Sequence, residues 1–153
     1  MKGGCTCGSV RYELTDAPLI VHCCHCTWCQ RETGSAFAVN AVIETSKVKV
    51  HSGQPEAVVT PSNSGSGQTI LRCPTCHVAL WSHYRGGGFK AAFVRVGTMD
   101  AGHTIDPDIH IYTSTKRPWV ELPEHARAVP EFYSPADVWP AASRRRWAEM
   151  MGG

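Results

Sequence analysis

Between residues 9 and 14 apolar and polar side chains alternate in Ser-Val-Arg-Tyr-Glu-Leu, the period-two pattern of a strand with one buried face. Short runs of the same kind recur at 19–23, after the turn Asp16-Ala17-Pro18, and at 48–51, 57–60, 69–72, 78–84, 89–96 and 110–112. Residues 37–43, Phe-Ala-Val-Asn-Ala-Val-Ile, are mostly apolar and rich in β-branched side chains, which predicts a strand covered on both faces. Gly86-Gly87-Gly88 marks a turn, and the Ser/Gly-rich stretch 61–67 a flexible surface loop. Only Ala141–Met151 reads as a helix, short and terminal.

The composition supports a mostly β chain of one compact domain. Charged residues make up 18%, below the usual quarter, and 14 glycines with 10 prolines in 153 residues favour short strands joined by turns. A net charge of +2 is too small for a nucleic-acid surface, and the run Arg144, Arg145, Arg146 reads as a solvated tail. The chain reaches Cys5 without an apolar leader, and no stretch approaches the roughly 20 apolar residues of a membrane span. The expectation is a soluble cytoplasmic protein, with no membrane partner.

Eight cysteines then change the picture. They fall in tight groups: Cys5 and Cys7; Cys23, Cys24, Cys26 and Cys29; Cys73 and Cys76. Thiols one or two residues apart cannot bridge each other without strain, yet they wrap a tetrahedral ion, and a reducing cytosol favours thiolate-bound metal. Cys73-Pro74-Thr75-Cys76, at the tip of an expected hairpin, needs a partner pair, and Cys5-Thr6-Cys7 supplies it; the spacing predicts a closed structural zinc on Cys5, Cys7, Cys73 and Cys76. Cys24-His25-Cys26-Thr27-Trp28-Cys29 offers three thiols to a second ion with one position open. A thiol entering that position would lose its proton and become nucleophilic, whereas three thiolates leave the metal a weak Lewis acid. The alternative is a second structural zinc completed by Cys23 or a histidine. Alternation along the strand directs Cys23 and Cys24 to opposite faces.

The order of motifs is that of a known family: C-x-C-G at Cys5, C-H-C-x-x-C-Q-R-x-T-G-S from Cys24 to Ser35, C-P-x-C at Cys73, G-T-M-D at Gly97, then H-I-Y at His110 and K-R-P-W at Lys116. In these residues the chain resembles the glutathione-dependent formaldehyde-activating enzymes, from about residue 4 to 133. The resemblance implies a β-tent of stacked antiparallel sheets in residues 1–133, with 134–153 as a C-terminal tail. It also implies two zinc ions per chain, the second on Cys24, Cys26 and Cys29 as the catalytic centre, and carbon-sulfur lyase-type chemistry that joins glutathione or a related thiol to formaldehyde or a similar small aldehyde. Gln30 stands where such proteins often carry Arg.

Around this frame, Arg31, Lys116 and Arg117 are the candidate cations for glutathione carboxylates, against a reading as ordinary surface charge. Trp28, Trp81 and Trp119 are candidate pocket aromatics, Asp100 and His110 candidate acid and base, and Thr33-Gly34-Ser35 a candidate anion turn; core, turn and strand roles compete for each. A non-catalytic zinc protein that binds glutathione or a protein partner is the competing function, and the sequence leaves open whether the chain acts alone or as a homodimer.

Overall fold

The computed structural model describes residues 1–152. Ten strands form two sheets. β1 (Lys2–Gly4), β2 (Arg11–Leu14) and β5 (Val48–Ser52) make a three-stranded sheet in the order β1-β2-β5. The larger sheet contains β3 (Ile20–Cys24), β4 (Ala38–Glu44), β6 (Glu56–Thr60), β7 (Gln68–Arg72), β8 (Ala79–Tyr84), β9 (Ala91–Arg95) and β10 (Ile109–Ile111). Its order is β10-β3-β4-β9-β8-β7-β6, with every pair antiparallel except β10 beside β3. Three α-helices complete the chain: α1 (Thr27–Thr33), α2 (Pro135–Val138) and α3 (Ala141–Met151). The mostly β, two-sheet architecture with a short C-terminal helix is the expected one.

The large sheet buries both faces at β3, β4 and β9, and period two assigns each residue there to one of them. Val21, Ala41, Ile43, Ala92 and Val94 face the small sheet, where Val10, Tyr12 and Leu14 meet them in one core. Ile20, Cys24, Val42, Phe93 and Ile111 face the other way and pack with Trp139 and Trp147 of the C-terminal segment. Register fixes the rows: His22 pairs Asn40, Asn40 pairs Arg95, and Val42 pairs Phe93. Alternate positions of β3, β4 and β9 therefore build a wall beneath α2 and α3.

Four readings of the sequence change. β1 is a strand although two of its three residues are glycine, because Tyr12 lies over it: a Cβ on Gly3 would come within 2.6 Å of both the Tyr12 hydroxyl and the Thr98 carbonyl. The run after the glycine turn begins as a 3-10 turn at Gly88–Lys90, with Phe89 exposed, and becomes a strand only at Ala91. The helix α1 lies inside the cysteine motif. Finally, the arginine run is only partly solvated: Arg144 and Arg145 are exposed, but Arg146 forks onto Glu44 at 2.9 and 2.6 Å and reaches Asp16 at 3.7 Å, tying α3 to β4. None of the described helices is long and apolar enough to cross a membrane.

Candidate metal centres

Two turns bring the first thiol group together. At the N-terminus Gly8, at φ +77°, closes a turn in which the Gly8 N–H donates to the Cys5 carbonyl and the Val10 N–H donates to the Cys5 sulfur at 3.2 Å. At the β7–β8 tip the His77 N–H donates to the Cys73 carbonyl at 2.9 Å, and the Cys73 N–H to the Val78 carbonyl at 3.0 Å. The sulfurs of Cys5 and Cys7 are then 3.4 Å apart and those of Cys7 and Cys73 3.7 Å, with Cys76 in the same group. Tetrahedral zinc with bonds near 2.3 Å has sulfur–sulfur edges of about 3.8 Å, so the donor set fits zinc in type and spacing. Hydrogen bonds with the Ser9 hydroxyl and backbone, then with Cys5, hold the Cys7 thiol down to about 6, toward the thiolate a metal requires.

The second group depends on α1. Cys26 is its N-cap, with extended backbone and a sulfur that accepts from the Cys29 N–H at 3.3 Å, while Gly34 ends the helix in the left-handed region at φ +63°. One helical turn thus sets Cys29 beside Cys26, and β3 delivers Cys24; the three sulfurs lie within 4.8 Å of one another. Hydrogen bonds from Cys24 and then Cys29 pull the Cys26 thiol down to about 3. Cys24, the donor to Cys26 and Cys29, is pushed up and further raised by burial. For Cys29 the hydrogen bond with Cys24 lowers, but that with Cys26, burial and the Cys26 charge outweigh it and leave it near 12. One thiolate shared among three sulfurs is a donor set compatible with zinc, which takes the place of the shared protons.

Cys23 lies on the opposite face, against His25 and His110. The two imidazoles face each other nitrogen to nitrogen at 3.0 Å, both buried, and burial keeps both neutral, so one donates to the other. Gln30 is spent locally as well: its amide donates to the carbonyls of His25 at 2.7 Å and Thr115 at 2.9 Å, fastening the cysteine loop to the turn after β10.

All three cysteines of the second group line a cavity of about 520 Å³. Its floor is the wall formed by His22, Asn40, Val42, Phe93 and Arg95; its rim includes Ser62, Asn63 and Ser64 of the loop expected to be a free surface; its roof is Trp139 and Trp147. Of the expected pocket aromatics only Trp28 is here. Trp81 is buried edge-on against Tyr12 in the other core, and Trp119 is 74% exposed. Arg31, Lys116 and Arg117 do not line the cavity; the Lys116 ammonium donates to the Val120 carbonyl. Asp100 pairs with Arg11 and does not line the cavity, and Gly34 acts as a helix stop. Trp139 and Trp147 escaped the reading because they lie beyond the cysteine motifs, and only their tryptophan content, unusual for a tail, marked them.

A crystal structure of a Rhodobacter sphaeroides protein is similar in fold, with a TM-score of 0.50 at 23% identity over 70% of this chain and 92% of that one. No curated protein matches the chain. The family model described as glutathione-dependent formaldehyde-activating enzyme matches residues 1–115, a span that holds all eight cysteines. By that match the chain belongs to the glutathione-dependent formaldehyde-activating enzyme family.

Proposed function

We propose that the protein is a zinc-dependent carbon-sulfur lyase-type enzyme in which a small thiol, glutathione or a relative, is held at Cys24, Cys26 and Cys29 and adds to formaldehyde or a similar small aldehyde. Cys5, Cys7, Cys73 and Cys76 hold a structural zinc. The observation that carries this reading is the position of the three-thiol group on the wall of a cavity within the size range of ligand sites, while the four-thiol group is complete and lies apart from it.

Zinc bound by the three cysteines would supply one thing, a site where an incoming thiol persists as thiolate at neutral pH. The chain's own groups do the rest. The new bond joins the thiol sulfur to the carbonyl carbon as the carbonyl π bond opens, and the proton the thiol gives up balances the one the oxygen takes. The Tyr84 hydroxyl, kept protonated chiefly by burial, lines the same cavity. Apolar walls keep bulk water from the adduct. Eight unbridged cysteines suit a reducing, cytoplasmic setting.

The test is NMR exchange spectroscopy of formaldehyde with 2-mercaptoethanol, a thiol small enough for any version of the cavity, with and without the zinc-loaded protein. Catalysed exchange that disappears in Cys26→Ser is the expected result. An unchanged exchange rate with zinc at both groups would leave a carrier without turnover and reject the enzyme.

A further inference from the structure

We infer that the thiol taken by this centre has an apolar, aromatic-sized body and at most one anionic group, and is not a multiply charged peptide. This rests on the proposal that a thiol enters at Cys24, Cys26 and Cys29, and it narrows which one.

Most of the charged and titratable groups of the cavity already have partners. Glu32 is ion-paired with Arg72, with both side chains largely buried. Arg95 is buried, with its two terminal nitrogens donating to Asn40 and, at 2.9 Å, to the Ser82 hydroxyl, and only its Nε without a partner. The His22 Nε2 shares a hydrogen bond with the Tyr133 hydroxyl. Arg85 is exposed at the mouth, and its guanidinium has no hydrogen bond or ion pair among the described residues. Glutathione carries two carboxylates and an ammonium. A single rim guanidinium answers one of them, and the others would meet walls of Val42, Phe93, Ile111 and tryptophan, where an unpaired charge is strongly disfavoured.

The roof is what makes the cavity apolar. Trp139 and Trp147 meet edge to face with centroids 5.2 Å apart, and the Trp139 indole N–H is spent on the Tyr133 hydroxyl at 2.7 Å, so only ring surface is offered inward. Trp147 packs against Gly87, where an added Cβ would stand 3.3 Å from the ring. Arg146 clamps this helix to Glu44. Both tryptophans lie outside the residues 1–115 that the family model matches. Ring faces at this spacing favour a flat apolar group, and such contacts add to area burial.

Isothermal titration calorimetry on the zinc-loaded protein with phenylmethanethiol, glutathione and 2-mercaptoethanol tests the inference. Phenylmethanethiol should bind at least tenfold more tightly than glutathione. Trp147→Leu should erase most of that preference while leaving zinc content unchanged; if that variant does not fold, Arg146→Ala, which loosens the roof from outside, takes its place. Glutathione binding as tightly as phenylmethanethiol would overturn the inference and leave the thiol centre standing. A preference that survives the roof variant would overturn it too. Failure of all three thiols, 2-mercaptoethanol included, would remove the thiol centre and this inference with it.

Discussion

Replacing Cys73 by serine should destabilise the fold far more than replacing Cys26, although both are cysteines of a zinc-compatible group. Cys73 is fully buried and its sulfur meets that of Cys7 across 66 positions of sequence. A cross-link of that span removes about 4 kcal/mol of loop entropy from the unfolded chain, a large part of the 5–15 kcal/mol that holds a typical domain. For a chain of this size the loss lowers the melting temperature by about 10–15 °C. Cys26 closes only the short loop between Cys24 and Cys29, worth about 2 kcal/mol on the same scale, and a serine there keeps the N-cap of α1. Its melting temperature should fall by no more than about half as much. Differential scanning calorimetry with zinc analysis of both variants decides the matter. Equal losses of stability would refute the assignment of one group to bracing and the other to chemistry.

Three further outcomes follow from named contacts. Arg146→Ala should cost about 2 kcal/mol in denaturant unfolding, between the values for exposed and buried pairs, because Glu44 is left 10% exposed without its fork; Arg146→Lys should recover less than half. Burial, partly offset by the Thr98 hydrogen bond, raises Tyr12 from about 10 to about 12, so the fold favours the neutral phenol. That stability is complete below pH 10 and is lost as pH rises toward 12, amounting to roughly 2–3 kcal/mol, and Tyr12→Phe should flatten this part of the stability curve. Gln30→Ala removes two hydrogen bonds between the cysteine loop and the turn after β10, and should lower stability by about 2 kcal/mol and speed loss of one zinc to a chelator.

The strands were legible because one face of each is buried, and burial writes itself as alternation. The same alternation separated Cys23 from Cys24, and the structure places them on opposite faces. What escaped had no periodic signature. α1 spans seven residues with one buried side chain and a cysteine as its cap, so neither an apolar stripe nor a usual capping residue announced it. β1 is held by a ring that packs over glycine, a tertiary effect. The cavity draws its walls from β3, β4, β8, β9, the loop before β7 and the C-terminal helices, and no local pattern joins segments so far apart in sequence. Arg146 looked solvated because its partners, Glu44 and Asp16, lie more than 100 residues away.

Zinc K-edge X-ray absorption before and after addition of 2-mercaptoethanol tests the central claim most directly, since one group is complete with four sulfurs and the other has three and room for a fourth. Two zinc ions per chain should average about 3.5 sulfurs each, rising to about 4 with the thiol. A single zinc per chain, or a sulfur count that the thiol does not change, would contradict the account.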